Sequence, residues 1–552
     1  MNVAAILSLF HTIWAVPMLL LSATPRTSLD VSQFEVSSLP DSPTLPRSWA
    51  GRLPIPDTEE GNSIFFWLFE AQDPAYDENL IIWFNGGPGC SSLIGLIAGN
   101  GPVLFDGNTT HLIQNPQSWT KLGHVLYVDQ PAGTGFSTAS KPYPVRDNDR
   151  VTSDFYKWLQ SFFSHFHHLR SKRVHMIGES YAGIYIPYFA YAIAENQDNY
   201  PIDLRSISLG DGTIGNPAAM TAVTVSTFLE SKKNVLQIPD EILSVFAQAD
   251  QTCGFTTVLH QADQFPPNGK FEILGDPENL NYKHRRRRDQ FQQYQRRNLG
   301  NVMNQTCNNH PTIPEQVSSS ILNSTCYGSC ATFSTAMNYL SAVSAAGTGK
   351  PCFDIYDITN DCTTIDPLGL MASYFSRGDV QAALNIAPAP APAAPLAFAP
   401  CNSTILDTLL LAAPPTPPAY SILPSLVTEH NISVHVYSGD NDLLLNHLGT
   451  ELVLQNMTWR GAQGFSRKPS RLFYAHDAAP ALLGSDACDV SLGHDATAGQ
   501  EAGQHCVPAG IWASERGLTY HLFRGAGHSV FMKKPREMLA YVRDVVVAEA
   551  NG

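Results

Sequence analysis

Short, almost wholly apolar runs punctuate the first half of the chain. Ser63-Ile64-Phe65-Phe66-Trp67-Leu68-Phe69, Leu80-Ile81-Ile82-Trp83-Phe84, His124-Val125-Leu126-Tyr127-Val128 and Val174-His175-Met176-Ile177 each have the length and character of a buried strand. Helix-periodic sequence, such as Asp154 to Phe166, lies between them. Strands alternating with helices predict an α/β fold built on a mostly parallel sheet flanked by helices. Late in the chain, Ser433-Val434-His435-Val436-Tyr437 and Thr519-Tyr520-His521-Leu522-Phe523 read as closing strands, and Arg536 to Ala550 as a final helix. From about Thr213 to Pro424 the pattern changes to helical segments, clustered cysteines and loops, which predicts a largely helical, disulfide-bearing cap inserted into the sheet domain. The expected division is residues 24–212 and 425–552 for the two parts of the core and 213–424 for the cap. Ala387 to Pro400, rich in Ala and Pro, has no helix interior and few side chains for a core, and reads as an extended linker.

The amino end adds a compartment. Val3 to Leu21 is mostly apolar and ends at the small residues Ser22-Ala23, so residues 1–23 read as a secretory signal despite having no Lys or Arg before the apolar run. No later stretch reaches the roughly 18 apolar residues of a spanning helix. A soluble mature protein without a membrane anchor, secreted or sent to a vacuole, is the expectation. A formal charge of -15 argues against a general affinity for nucleic acid or anionic membrane.

Ten cysteines suit that compartment: Cys90, Cys253, Cys307, Cys326, Cys330, Cys352, Cys362, Cys401, Cys488 and Cys506. An even number behind a signal favours disulfides, with connectivity open. Cys326 and Cys330 have no companion pair at zinc-site spacing, so no metal is expected. Glycosylation sequons begin at Asn108, Asn304, Asn323, Asn402, Asn431 and Asn456. Lys283-His284-Arg285-Arg286-Arg287-Arg288 is the one strong basic run. It reads either as a solvated loop or as a processing site that would yield two disulfide-joined chains.

The chemistry centres on Gly178-Glu179-Ser180-Tyr181-Ala182-Gly183, directly after an apolar strand. Small residues around one serine, where a strand turns sharply into a helix, make a nucleophile elbow. A serine hydroxyl needs a base, and the base needs an orienting carboxylate. The strand ending at Tyr437 runs into Ser438-Gly439-Asp440-Asn441-Asp442, and the next into Arg524-Gly525-Ala526-Gly527-His528. Ser180, Asp442 and His528 then follow in the order of the α/β-hydrolase fold. The glycine-rich stretch Asn85-Gly86-Gly87-Pro88-Gly89-Cys90-Ser91-Ser92 allows close backbone approach to a ligand, as an oxyanion hole requires. Acyl transfer by this route needs no cofactor.

Trp83-Phe84-Asn85-Gly86-Gly87-Pro88-Gly89-Cys90-Ser91-Ser92 resembles the signature of the serine carboxypeptidase family. So do Asn115-Pro116-Gln117-Ser118-Trp119, Asp129-Gln130-Pro131-Ala132-Gly133-Thr134-Gly135-Phe136-Ser137, the elbow itself and Gly525-Ala526-Gly527-His528. Thr252-Cys253-Gly254-Phe255, Pro351-Cys352-Phe353-Asp354-Ile355-Tyr356 and Gln455-Asn456-Met457-Thr458-Trp459 look most like its secreted fungal branch. The resemblance implies a serine exopeptidase acting on the carboxyl-terminal bond of peptides and proteins. Ser180 would be the nucleophile, His528 the general base and acid, and Asp442 the orienting carboxylate. Gly87 and Tyr181 would supply the oxyanion amides; Asn85, Gly86 and Glu179 would hold the substrate's terminal carboxylate. Glu179 can donate to a carboxylate only while protonated, which favours work at acidic pH. The resemblance also implies disulfides Cys90–Cys401, Cys253–Cys362, Cys330–Cys352 and Cys488–Cys506.

Two positions depart from the family pattern. Gly99 stands where a second glutamate is expected to share a proton with Glu179, and Ser529-Val530-Phe531 replaces Met-Val-Pro after the histidine. Losing the partner carboxyl should lower the pKa of Glu179 and weaken carboxylate binding as pH rises. An acyltransferase of the same family, or a secreted glycoprotein keeping the scaffold without catalysis, are the competing readings.

Overall fold

The computed structural model describes residues 30–273, 311–322, 330–361, 367–386, 395–414, 416–475 and 508–548. The expected signal segment, the basic run, Asn304, Asn323, Cys307, Cys326, Cys362, Cys488 and Cys506 lie outside the described residues.

Among the described residues, ten strands form one sheet: β1 (Ser48–Pro54), β2 (Ser63–Phe69), β3 (Asn79–Phe84), β4 (His124–Asp129), β5 (Arg173–Glu179), β6 (Leu204–Gly210), β7 (Ser433–Gly439), β8 (Arg471–Phe473), β9 (Gly510–Glu515) and β10 (Leu518–Phe523). Their spatial order is β1-β2-β4-β3-β5-β6-β7-β10-β9-β8. The inner strands β4-β3-β5-β6-β7-β10 are mutually parallel, and antiparallel pairs close both sides. This is the α/β-hydrolase fold.

Both faces of the sheet are covered, which explains why its strands read as continuous apolar runs rather than as alternation. Phe66, Leu68, Leu80, Ile82 and Phe84 enter one core with helices α1 (Asn148–His165) and α2 (Ala182–Ala194). Their neighbours Phe65, Trp67, Phe69, Ile81 and Trp83 enter a second core with the carboxyl-terminal segment around Tyr541 and Val545. A third core, made largely by helices between Val225 and Val343, gives the helical insertion its own interior.

Helix α1 starts six residues before the expected Asp154. Asp147 caps it, its side chain accepting from the amide of Arg150, and Val151, Phe155, Trp158, Leu159 and Phe162 then form one buried stripe. The final helix is regular only over Pro535–Tyr541 and continues to Val547 in a wider turn. In the Ala/Pro-rich stretch, residues 387–394 lie outside the described residues. Phe398, however, is buried against Phe136 and Phe375, so the end of the expected linker is anchored in the core.

The strand register places the chemistry. Phe84 pairs with Gly178, Glu179 with Gly210, Gly210 with Tyr437, and Gly439 with Phe523. The ends of five parallel strands therefore share the carboxyl edge of the sheet, where ligands of open α/β sheets bind.

Candidate active site

Ser180 follows the last residue of β5 and adopts φ 63°, a left-handed conformation unusual for a residue with a side chain. The turn is held from β6: the Ser180 amide donates to the carbonyl of Gly210 (2.9 Å), and the Ser180 carbonyl accepts from the amides of Gly183 (2.9 Å) and Thr213 (3.0 Å). Over-determination of this kind is what a strained functional turn requires.

Asp442 and His528 meet over the ends of β7 and β10. The His528 Nδ1 lies 2.7 Å from Asp442 Oδ2, with Asp442 wholly buried. Asp442 Oδ1 is held by the amides of Leu444 (2.8 Å) and Leu445 (3.3 Å), which fixes the carboxylate. The His528 amide donates to the carbonyl of Tyr356 (2.7 Å), and the Tyr356 ring packs edge-on against the imidazole. Burial is the largest single influence and opposes charge on His528, but the Asp442 carboxylate, with Glu179 and Asp354 adding to it, leaves the imidazole pKa raised. Among the described residues no hydrogen bond joins Ser180 Oγ to the imidazole, a contact that tightens in many hydrolases only when substrate is bound.

The glycine-rich loop leaves β3 beside this serine. A Cβ on Gly86 would stand 2.4 Å from the Tyr181 amide nitrogen and 2.8 Å from Ser180 Cβ, so only glycine lets the loop lie this close. Among the described residues, the amides of Gly86, Gly87 and Tyr181 have no protein acceptor. Unpaired donors this close together call for an explanation, and a bound anion or carbonyl oxygen supplies one. Tyr181 is itself fixed, its hydroxyl donating to the carbonyl of Leu409 (3.1 Å) and accepting from Asn148 Nδ2 (3.1 Å).

Asn85 and Glu179 meet as well. Asn85 Oδ1 accepts from Trp83 Nε1 (2.7 Å) and the Gly95 amide (3.0 Å), which turns Nδ2 toward Glu179 Oε1 at 2.8 Å. Glu179 is buried, and burial raises its pKa to about 7. Its second oxygen, Oε2, is buried without a partner.

Several residues that position the site had no role in the sequence reading. Asp129, in the quoted Asp129–Ser137 motif, accepts from Ser91 Oγ (2.6 Å) and the Ser92 amide (2.9 Å) through Oδ1, and from the Phe136 amide (3.0 Å) through Oδ2. It ties the glycine-rich loop to the strand beside it; burial raises its own pKa to about 6. Asn115 Nδ2 donates to the carbonyls of Gly99 (2.8 Å) and Gly101 (2.7 Å), which gives the Asn115–Trp119 motif its purpose. Asp211, at the end of β6, accepts from the Gly439 amide (3.0 Å); burial holds its carboxyl well above the usual range, with Asp442 adding to the effect.

Cys90 is bonded to Cys401, and the Ser91 amide donates to the carbonyl of Pro400 (2.8 Å), so the loop is fastened to the segment leading into α3 (Ser403–Leu411). The second disulfide corrects the expected connectivity. Cys253 is bonded to Cys330, which displaces both Cys253–Cys362 and Cys330–Cys352. Cys253 ends one helix of the insertion and Cys330 lies just before another, with Cα atoms 5.8 Å apart, a proximity set by helix packing and invisible in cysteine spacing.

One sequon is corrected by burial. Asn456 is buried, with Oδ1 accepting from the Phe271 amide (2.8 Å), and leaves no room for a glycan. Asn402 uses Oδ1 to cap α3 and Nδ2 to donate to the carbonyl of Gly133 (2.9 Å). Asn108 and Asn431 are exposed. Among the described residues no cluster of His, Cys, Asp and Glu is arranged to hold a metal ion, and no helix is long and apolar enough to cross a membrane.

Residues 43–548 match the serine carboxypeptidase family. The chain is 43% identical over its full length to the full length of a carboxypeptidase Y homolog of Arthroderma benhamiae. It is 28% identical to the pheromone-processing carboxypeptidase kex1 of Aspergillus oryzae, over 98% of this chain and 73% of that one. Its fold is similar to the crystal structure of a prohormone-processing carboxypeptidase, Kex1(delta)p, from Saccharomyces cerevisiae, with TM-score 0.59, 21% identity, and 94% and 95% of the two chains covered. With the elbow serine, the buried Asp442–His528 pair and the matched span in hand, the chain belongs to the serine carboxypeptidase family and is a serine-type carboxypeptidase.

Proposed function

We propose that the protein removes the last residue of peptides through an acyl-enzyme on Ser180. Ser180 Oγ attacks the carbonyl carbon of the last peptide bond while His528 Nε2 takes its proton. Negative charge gathering on the carbonyl oxygen is met by the amides of Gly87 and Tyr181. The C–N bond then breaks, His528 returns the proton to the leaving amine, and the terminal residue departs. Water, deprotonated by His528, attacks the ester, and the proton passes back to Ser180 as the acyl group leaves. Asp442 orients the imidazole and stabilises its charged form.

Exopeptidase selectivity comes from Asn85, Gly86 and Glu179. A protonated Glu179 donates to the terminal carboxylate; an ionised one repels it. With its pKa raised to about 7 by burial, Glu179 binds below that pH and stops binding above it. The same proton assists the base, because ionised Glu179 is one of the anions that hold His528 charged. Protonating Glu179 removes that influence, so His528 gives up its proton more readily in the state that binds substrate. These two effects favour activity on the acidic side of neutrality.

The unpaired amides beside a strained serine, together with the open oxygen of Glu179, carry this reading. Blocked dipeptides and their carboxyl-terminal amides test it: a strong preference for the free carboxylate is expected, and equal rates would overturn it. A fluorophosphonate should label the protein at Ser180 and fail to label Ser180→Ala. Two disulfides in the described residues support passage through an oxidising compartment, in keeping with secretion or vacuolar delivery. Residues 213–424 serve in this reading as the cap over the sheet edge.

A further inference from the structure

Glu179 is held asymmetrically. Oε1 accepts two hydrogen bonds, from Asn85 Nδ2 at 2.8 Å and from Ser529 Oγ at 3.1 Å, while buried Oε2 accepts none. The donor role of Asn85 is settled by the two donors on its own Oδ1. A second carboxyl cannot reach the site from position 99. A Cβ there would lie 2.4 Å from Phe531 Cδ2 and 3.1 Å from the Phe531 carbonyl, and the Phe531 ring is buried against Trp83 with centroids 5.2 Å apart. In this chain, then, a hydroxyl partners the buried acid.

We infer that Ser529 is a positioning residue that decides which oxygen of Glu179 carries the proton. Two donors on Oε1 make it the carbonyl-like oxygen of the neutral acid. The proton is left on Oε2, the oxygen with no protein partner and thus free for the substrate's terminal carboxylate. Without Ser529, only Asn85 distinguishes the two oxygens, and the proton divides between a productive and an unproductive placement. The inference rests on the proposed exopeptidase reading and adds to it a residue placed by the departure from the family's Met-Val-Pro sequence.

The charge environment sets the second consequence. His528 and Asp442 face Glu179 most closely, with Asp211, Tyr356 and Tyr437 also within its electrostatic reach. Ser529 donates to the carboxyl and therefore favours its ionised form. Removing the hydroxyl should raise the pH at which carboxylate binding fails, although binding below that pH is weaker.

The test compares the wild type, Ser529→Ala and Ser529→Thr on a blocked dipeptide and its carboxyl-terminal amide from pH 4 to 9, with active sites counted by fluorophosphonate labelling. Ser529→Ala should lower the carboxylate-to-amide ratio of kcat/KM by roughly three- to tenfold at pH 5, the span of one lost hydrogen bond. That loss should appear in KM, the alkaline rise in KM should move to higher pH, and Ser529→Thr should restore both. An unchanged ratio, or a ratio that falls with the alkaline rise left in place, would overturn the inference. A wild type with no preference for the free carboxylate would instead overturn the exopeptidase reading itself.

Discussion

Asp442 Oδ2 and His528 Nδ1 lie 2.7 Å apart although 86 positions separate the residues in sequence. Adjacent parallel strands β7 and β10 end in register, Gly439 opposite Phe523, and the loops that follow carry the carboxylate and the imidazole to one point. The carboxylate fixes the tautomer, with the proton on Nδ1 and Nε2 open to the serine. Asp442→Asn should cut kcat by about 10⁴ with the fold intact, because the amide cannot hold that tautomer. A loss below tenfold in a folded, fluorophosphonate-reactive variant would contradict the role of Asp442. Removing the carboxylate also removes the strongest of the groups that raise the His528 pKa, so the acid limb of the kcat profile should move to lower pH.

Gly99 and Phe531 should behave as a pair. Any side chain at position 99 meets a buried ring and its backbone carbonyl. Gly99→Ala is expected to cost about 1–3 kcal/mol of stability by overpacking. A Phe531→Leu change in the same chain should recover part of that loss, so that the two effects are not additive. Thermal melts of both single variants and the double variant measure the coupling.

The sequence was most readable where one kind of residue serves one purpose. Ser63–Phe69 is named to the residue because both faces of that strand are buried and every position is apolar or small. Ser180, Asp442 and His528 were legible from turn chemistry and chain order, and the structure joins the last two directly. Four strands of the large sheet left no clear pattern in the sequence. Ser48–Pro54 contains Gly51, Arg52 and Pro54 as an edge strand, and Leu204–Gly210 mixes serines into its apolar positions. The Ser206 hydroxyl instead satisfies His175 Nδ1 at 2.8 Å, a partnership that crosses strands and leaves no local trace. Disulfide pairing failed for the same reason at Cys253, where helix packing rather than spacing brings Cys330 near. Ser529 stands out in sequence only as a departure from Met-Val-Pro, and its hydrogen bond to Glu179, 350 positions away, leaves no local trace.

The Cys90–Cys401 bond should matter for activity as well as stability. It fastens the loop bearing Gly86 and Gly87 to a segment 311 residues away. The Cys90→Ser/Cys401→Ser variant should lose about 2–5 kcal/mol of stability. Its kcat should fall too, since the unpaired amides lose a fixed support. Activity measured well below the melting temperature separates the two effects: full kcat in the folded variant would show that the bond has no part in holding the loop.

Buried histidines set an acid limit on the fold. Burial depresses His175 and His435 to about 3, so both are neutral in the folded chain, whereas the unfolded chain protonates near about 6.5. Their contribution to stability is complete above about pH 6.5 and is lost progressively as pH falls toward about 3. The melting temperature should therefore decline through that window. In His175→Asn the decline should be shallower, even if the plateau near neutrality is lower. An identical slope in the variant would exclude His175 as a source of acid sensitivity.

The most direct measurement is the pH dependence of the carboxylate-to-amide ratio of kcat/KM, for the wild type and for Glu179→Gln. In the wild type the ratio should be high at pH 5 and collapse as pH rises through about 7, when the buried acid ionises. Glutamine donates at every pH, so Glu179→Gln should retain the preference above pH 7. A wild-type ratio that is flat from pH 5 to 9, or a preference that Glu179→Gln loses at all pH values, would contradict recognition of the peptide's end by the proton of Glu179.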